Sequence, residues 1–379
     1  MISTGNMGIL EKKSPHDPEG RKQCLVSALL YCFGDMNRLH AHMKDQSLAL
    51  QLLVGCLRGI SRVILLNNPV SGAVILSALL LESPWQALLG TLGLLSSTIG
   101  AIAFGQDSEE VSSGIHGFNG MLVALLMGVF SSAGDWYWWL LLPVCLGGVT
   151  TTFLYSCLVP VLDHWDLPVT VFPFNTIIVL YLACTGTTNP YFPNHSAHPP
   201  KAPENFNQTQ LHISQLMQGM VLGVGQIFAC ETLSSSLLIL GAVFLFSPIL
   251  AIDALLGSIT SSIAGLSMSV QHTHLYTGLS GFNGALGSMV VGAFFIFNWK
   301  TQLLSIVTAY TDIALSNLLG VVGLPASSWA ATLTGTLVLL ITGKNLREYR
   351  IPSNKVTTPE GNLHEHKEWS AANMNVSEA

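Results

Sequence analysis

Long apolar stretches alternate with short polar breaks along the chain, and the breaks mark out the elements. Apolar character runs from Leu48 to Leu66, interrupted by Arg58 and Arg62, stops at Asn67-Asn68-Pro69 and resumes from Val70 to Leu81. A helix needs about 20 apolar residues to cross a bilayer, so the pattern predicts a helix ending at a polar turn and a short or tilted one after it. Pro84 opens the next span, Trp85 to Phe104. An acidic loop (Asp107, Glu109, Glu110) then leads through Gly114, Gly117 and Gly120 into Met121 to Phe130, which is short for a crossing and predicts a re-entrant half-helix. Irregular backbone at membrane depth survives only when buried in protein or lining a watery cavity; close helix packing is the alternative use of the glycines. Trp136, Tyr137, Trp138 and Trp139 form an aromatic belt opening a span to Leu162, and Pro168 and Pro173 then interrupt Leu167 to Phe174 before Asn175 to Cys184. Those prolines predict freed backbone carbonyls in need of partners.

The pattern then starts again. Gly117-Phe118-Asn119-Gly120-Met121-Leu122 returns 164 residues later as Gly281-Phe282-Asn283-Gly284-Ala285-Leu286, and Ser83-Pro84 and Ser97-Thr98-Ile99 return at the same spacing as Ser247-Pro248 and Ser261-Ser262-Ile263. An internal repeat of this kind fixes the architecture. The second set of elements is Ile213 to Cys230, Leu237 to Phe246, Ile249 to Met268, the Gly281 stretch to Phe297, Leu303 to Val322 and Leu324 to Thr342. Between the sets, residues 185–210 are polar and carry the acceptor sequons Asn194-His195-Ser196 and Asn207-Gln208-Thr209, which makes Asn194 and Asn207 candidate glycosylation sites.

Composition places this pattern in a membrane. Of 379 residues, 50% are hydrophobic and only 9% charged, with a mean hydropathy of +0.51, against about 25% charged in soluble domains. The first 23 residues are polar, with no short apolar core of a cleavable signal, and a mixed segment from Cys24 to Phe33 reads as an interfacial helix. Basic residues crowd both tails, which puts both ends in the cytoplasm and the lone Lys201 linker outside. Each half then crosses an odd number of times, and the second runs opposite to the first. The expectation is an all-α integral membrane protein of two inverted repeats, each with five transmembrane helices and one re-entrant half-helix. Its segments are a cytoplasmic lead (1–47), a first membrane repeat (48–184), an extracellular linker (185–210), a second repeat (211–343) and a cytoplasmic tail (344–379). Many transporters share this inverted arrangement, with the site near the midplane.

Chemistry-bearing residues are sparse. The seven cysteines lack zinc spacing, histidines lie mainly in loops and tails, and Ser and Thr in the spans have no His and acid partners, so no enzyme, metal or cofactor is expected, nor any nucleic-acid partner. His116 reads as a helix-entry hydrogen bonder. Arg62, Glu231, Asp253 and Asp312 read as ionisable residues inside spans, where charge is costly, with Asp253 and Asp312 as packing or interface residues. In the repeat, Arg62 stands opposite Gln226, and Asn67-Asn68-Pro69 opposite Glu231-Thr232-Leu233, so polar groups occupy equivalent ends of both halves. Arg62 either snorkels to headgroups or lines a pathway. Sparse charge favours passage of a neutral polar solute over an ion pump.

Several stretches taken together resemble the vertebrate urea transporters over roughly residues 47 to 358. They are Arg58-Gly59-Ile60-Ser61, Asn67 to Gly72, the two Gly-Phe-Asn-Gly motifs, Trp165-Asp166-Leu167-Pro168, Pro173-Phe174-Asn175, Val224-Gly225-Gln226 and Gly323-Leu324-Pro325-Ala326. The resemblance implies a plasma-membrane homotrimer, one pore per subunit, passing urea passively among membrane lipids. It implies a pathway through Arg62, Leu65, Leu122, Thr170, Val171, Gln226, Leu286 and Ser328, with Asn67, Asn68, Pro69 and Glu231 at a mouth or structural turn. Where the family carries a mouth Gln, a nearby aromatic and a midpoint Thr, this chain has Arg62, Leu65 and Val171. A pore turned to water, ammonia or other small amides, or a non-conducting scaffold, are the alternatives.

Overall fold

The structure is a computed structural model describing residues 32–36, 39, 43, 46–195, 211–324, 327–341 and 343–377. The expected interfacial helix from Cys24 and the sequon at Asn207 fall largely or wholly outside these residues. The first half contains α1 (Leu48–Arg62), α2 (Pro69–Glu82), α3 (Pro84–Ala103), α4 (Ser108–Ser112), α5 (Gly117–Phe130), α6 (Leu141–Asp163) and α7 (Phe172–Thr185). The second contains α8 (Ile213–Gly225), α9 (Leu233–Phe246), α10 (Pro248–Ser267), α11 (His272–Tyr276), α12 (Phe282–Phe294), α13 (Trp299–Val321) and α14 (Trp329–Leu339), followed by α15 (Lys344–Arg347) and α16 (Pro359–Ser377). The bounds of α2, α3 and α4 recur in α9, α10 and α11 at a constant offset of 164. Beyond α12 the offset falls to 157 or 158, because the turn before α13 is shorter than the loop before α6.

The helices begin where local chemistry tells them to. Asn68 caps α2 by accepting from the N–H of Val70 (2.8 Å) and Ser71 (3.0 Å), with Pro69 at the first helical position, where its missing N–H is no loss. Ser83 and Ser247 open α3 and α10 in the same way, each followed by proline. Pro173 lies in the first turn of α7 rather than inside a helix. The expected disruption by proline is therefore a loop, residues 164–171, that stops α6 and restarts as α7.

Among the described residues four helices are long and apolar enough to cross a membrane: α3, α6 with its 3-10 lead, α10 and α13. The pair α8–α9, bent by 74° at its break, makes a fifth. This is fewer full-length spans than five per half, because polar turns divide the apolar runs: α1, α2, α7, α8, α9 and α14 have only 11 to 15 residues each. Helices α5 and α12 are short too, at 14 and 13 residues, or about 20 Å at 1.5 Å per residue.

The halves meet along α2 and α9. Ser71 Oγ donates to the Ala242 carbonyl (2.7 Å) and Ser235 Oγ to the Ala78 carbonyl (3.1 Å). The two bonds join equivalent residues, and each runs from the start of one helix to the end of the other, so α2 and α9 lie antiparallel. The motif glycines pack rather than line space. A Cβ at Gly120 would collide with the Gly93 carbonyl on α3, and one at Gly284 with Ser261 and the Gly257 carbonyl on α10, so these crossings demand glycine.

Candidate functional site: a duplicated central cavity

A cavity of about 550 Å³ lies between the halves, and its walls are built twice. Phe118, Leu122 and Leu126 on α5 and Phe282, Leu286 and Val290 on α12 each recur every four residues, which puts them on one stripe of their helix; both stripes face the cavity. All eight residues expected on the pathway line it: Arg62, Leu65, Leu122, Thr170, Val171, Gln226, Leu286 and Ser328. Glu231 lines it as well, from an exposed loop position rather than within a span. Asn67, Asn68 and Pro69 do not; Asn68, fully buried, spends its amide on the α2 cap and on the Cys32 and Gly34 carbonyls at 2.7 and 2.8 Å.

Arg62 and Gln226 are held alike. Arg62 Nε donates to the Ser113 carbonyl (2.8 Å) and Gln226 Nε2 to the Thr277 carbonyl (3.0 Å), an equivalent pair in the repeat. This anchoring holds the Arg62 side chain against the loop before α5, at the cavity. Just beyond each, Leu65 and Ala229 take left-handed φ values of 63° and 56°, turning the chain at the cavity wall. Glu82 and Asp135 also line the cavity.

Two asparagines that sequence reasoning passed over position the middle of the site. Asn119 Nδ2 donates to the Thr170 carbonyl (3.1 Å) and its Oδ1 accepts from the Phe174 N–H (3.1 Å). Asn283 repeats this with the Ser327 carbonyl (3.2 Å) and the Ala331 N–H (3.3 Å). Each motif asparagine thus clamps the start of a broken helix, α7 or α14, and supplies the partner its freed carbonyl needs. Their signal was present in the sequence: an asparagine at the same place in two otherwise apolar motifs.

The helix starts face each other. Phe172 and Trp329, equivalent residues, meet edge to face at 5.9 Å. Asn175 Nδ2 donates to Ser328 Oγ (3.3 Å) and Thr332 Oγ1 (3.0 Å). On α14, Ser328, Thr332 and Thr336 line the cavity as a hydroxyl stripe, whereas the equivalent α7 positions are Val171, Asn175 and Val179.

Other expected residues lie elsewhere. His116 sits at the entry of α5 without capping it; its Nε2 lies 3.1 Å from Glu110 Oε2 and its ring packs edge-on to Tyr155. Asp253 and Asp312 are fully buried away from the cavity, Asp253 accepting from Gln302 Nε2 at 2.9 Å. Asn194 is only 4% exposed and its Nδ2 donates to Thr185 Oγ1. The first part of the expected linker is folded onto the first half: the His195 N–H bonds the Phe130 carbonyl at 2.7 Å.

A helical membrane protein with a duplicated, mostly apolar cavity and a few convergent amides and hydroxyls belongs to the class of small-solute transporters. The sequence model described as "Urea transporter" matches residues 53–343. Urea transporter 1 of Ovis aries is 39% identical over 359 residues, 93% of this chain and 94% of that protein. Urea transporter 1 of Mus musculus is 38% identical over 346 residues, 90% of each. The chain belongs to the urea transporter family, whose members are channels rather than enzymes.

Proposed function

We propose that the chain passes urea down its gradient through the central cavity, as a channel. The observation that carries this reading is the duplicated wall: apolar stripes from α5 and α12 desolvate a planar solute, while Thr170, Ser328, Thr332 and the two anchored mouth residues offer it hydrogen bonds. A neutral solute in such a slot exchanges water for protein partners at modest net cost, and no charge relay is needed. The antiparallel α2–α9 pair supports an inverted arrangement of the halves about an axis in the membrane plane, which sets Arg62 and Gln226 at opposite mouths. Basic tails support cytoplasmic ends in a plasma membrane. Exposed apolar residues on α6 and α13, such as Leu142, Phe153 and Val307, are available to lipid or to neighbouring subunits of a homotrimer.

Stopped-flow light scattering of proteoliposomes in a urea gradient tests this reading. Shrinkage and re-swelling faster than in empty liposomes is the expected result; equal rates overturn it. A specific observation favours altered selectivity as the second reading, since Arg62 places a guanidinium where the other half has an amide. Repeating the assay with ammonia, water and acetamide separates the two.

A further inference from the structure

Asp166, in the Trp165-Asp166-Leu167-Pro168 motif, adopts a left-handed φ of 53°. The equivalent residue in the second half is Gly323, with φ 87°. Glycine is the residue that takes this conformation without steric cost, so an aspartate kept there points to work done by its side chain. That side chain and its carbonyl are fully engaged by the segment that follows the last span. Arg350 Nη2 pairs with Asp166 Oδ2 at 3.0 Å and also donates to the Asp166 carbonyl. The Ser353 N–H donates to Oδ1 (2.9 Å) and Ser353 Oγ to the carbonyl (3.1 Å). The same segment is pinned to the end of α12: the Ile296 N–H bonds the Tyr349 carbonyl and the Ile351 N–H the Phe294 carbonyl, both at 2.8 Å. Four and five residues beyond Asp166, Thr170 and Val171 line the cavity.

We propose that Asp166 and Arg350 are positioning residues for the pathway: residues 349–353 tie the loop before α7 to the end of α12 and so hold the cavity wall at Thr170 and Val171. The proposal rests on the urea reading for its functional consequence, and on geometry alone for the tie. Among the described residues the Gly323 turn has no such side-chain tie, although the backbone pinning recurs in the first half, where the Ser132 N–H bonds the Pro193 carbonyl at 2.9 Å and the His195 N–H the Phe130 carbonyl at 2.7 Å. Loosening it releases the α7 start while Asn119 still holds the Thr170 carbonyl, which widens the wall rather than unfolding it.

The test uses the full chain in proteoliposomes with Asp166→Gly, Arg350→Ala, Arg350→Lys and the Asp166→Gly/Arg350→Ala pair. Asp166→Gly keeps the turn and the two bonds to its carbonyl and loses only the side-chain bonds to Arg350 and the Ser353 N–H, so a residue serving the turn alone would be unharmed by it. Expected are faster hydrogen exchange at the Phe174 and Asn175 amides, by about tenfold, and a raised ratio of methylurea to urea permeability. The double variant should lose less than the sum of the single ones, since both break the Arg350–Asp166 ion pair, and Arg350→Lys should lie between parent and Arg350→Ala. Parental exchange and parental selectivity in a folded Asp166→Gly variant overturn the proposal, as does an additive double variant. If the parent passes no more urea than empty liposomes, the urea reading fails, and the exchange rates still decide the clamp.

Discussion

The starts of α7 and α14 are the same structure with different surfaces. In both, a motif asparagine bonds a carbonyl before the helix and an N–H within its first turn. What faces the cavity differs: α14 presents Ser328, Thr332 and Thr336, while α7 presents Val171 and keeps Asn175 buried as donor to two hydroxyls across the interface. The clamps satisfy buried and half-buried backbone groups, and leaving a buried one unpaired costs about 1–3 kcal/mol. A lining side chain only has to meet a passing solute. The scaffold of the two halves is therefore held in common while their chemistry at the solute is free to diverge.

The sharpest way to break the comparison is to remove a clamp. Asn119→Ala leaves the Thr170 carbonyl and the Phe174 N–H without their partner; Asn283→Ala does the same to Ser327 and Ala331. Each variant is expected to lose several kcal/mol of stability, at about 1–3 kcal/mol per orphaned group, and most of its urea permeability. Thermal unfolding in detergent and stopped-flow scattering measure the two effects. Equal losses confirm that the clamps are equivalent; a clearly milder Asn283→Ala would show that the second half has another support.

A smaller effect is expected at the mouths. Arg62 and Gln226 share an anchor but differ by one charge. A unit charge acting over roughly 10 Å at an effective dielectric of about 20 contributes on the order of 1.7 kcal/mol, or more than tenfold for a cation. Arg62→Gln should thus admit methylammonium roughly tenfold faster while leaving the neutral solute urea nearly unchanged. An unchanged cation rate would mean that the guanidinium does not face the solute.

Val171→Thr sharpens the difference at the midpoint. It restores to α7 the hydroxyl that Ser328 provides on α14, and one hydrogen bond to a desolvated solute is worth about 0.5–1.5 kcal/mol. Urea permeability should rise, by about tenfold at most. No gain in the stopped-flow assay would place the rate-limiting step away from the helix starts.

What could be read in advance follows from how local each cause is. Helix starts at Pro69, Pro84 and Pro248 were legible because a polar cap and a proline act within one turn. The apolar stripes through Leu122 and Leu286 were legible because the motif occurs twice at one spacing. The glycines were harder: their recurrence suggested a pathway, and only the crossings with Gly93 and Gly257 reveal them as packing residues. Asn194 read as a sequon because a sequon is a three-residue pattern, whereas its burial depends on Thr185 and on the strand-like contact with Ser131. The tie between Asp166 and Arg350 spans 184 residues, and no periodicity carries information over that distance.

The smallest expected effect concerns α2 and α9, which are equivalent and antiparallel yet are capped differently. Helix α2 is capped from within, by Asn68. Helix α9 has Thr232 in the cap position with no side-chain cap of its own. Glu82 from the end of α2 instead ties the turn just before α9, accepting from the Glu231 and Thr232 N–H at 3.0 and 3.3 Å and from the Thr232 hydroxyl. A carboxylate at a helix N-terminus also meets the positive end of the helix dipole. Losing a hydrogen bond of this kind costs about 0.5–1.5 kcal/mol, so Glu82→Ala should lower the unfolding temperature by a few degrees while Asn68→Ala, which loses the α2 cap and the Cys32 and Gly34 contacts, lowers it more. Glu82 lines the cavity too, and the two roles separate cleanly. A carboxylate that serves α9 changes stability and leaves urea flux alone; one that serves the solute changes flux at constant stability. Measuring both on Glu82→Gln, which keeps an acceptor and removes the charge, decides between them: the structural role predicts a shift in unfolding smaller than that of Glu82→Ala and a parental flux.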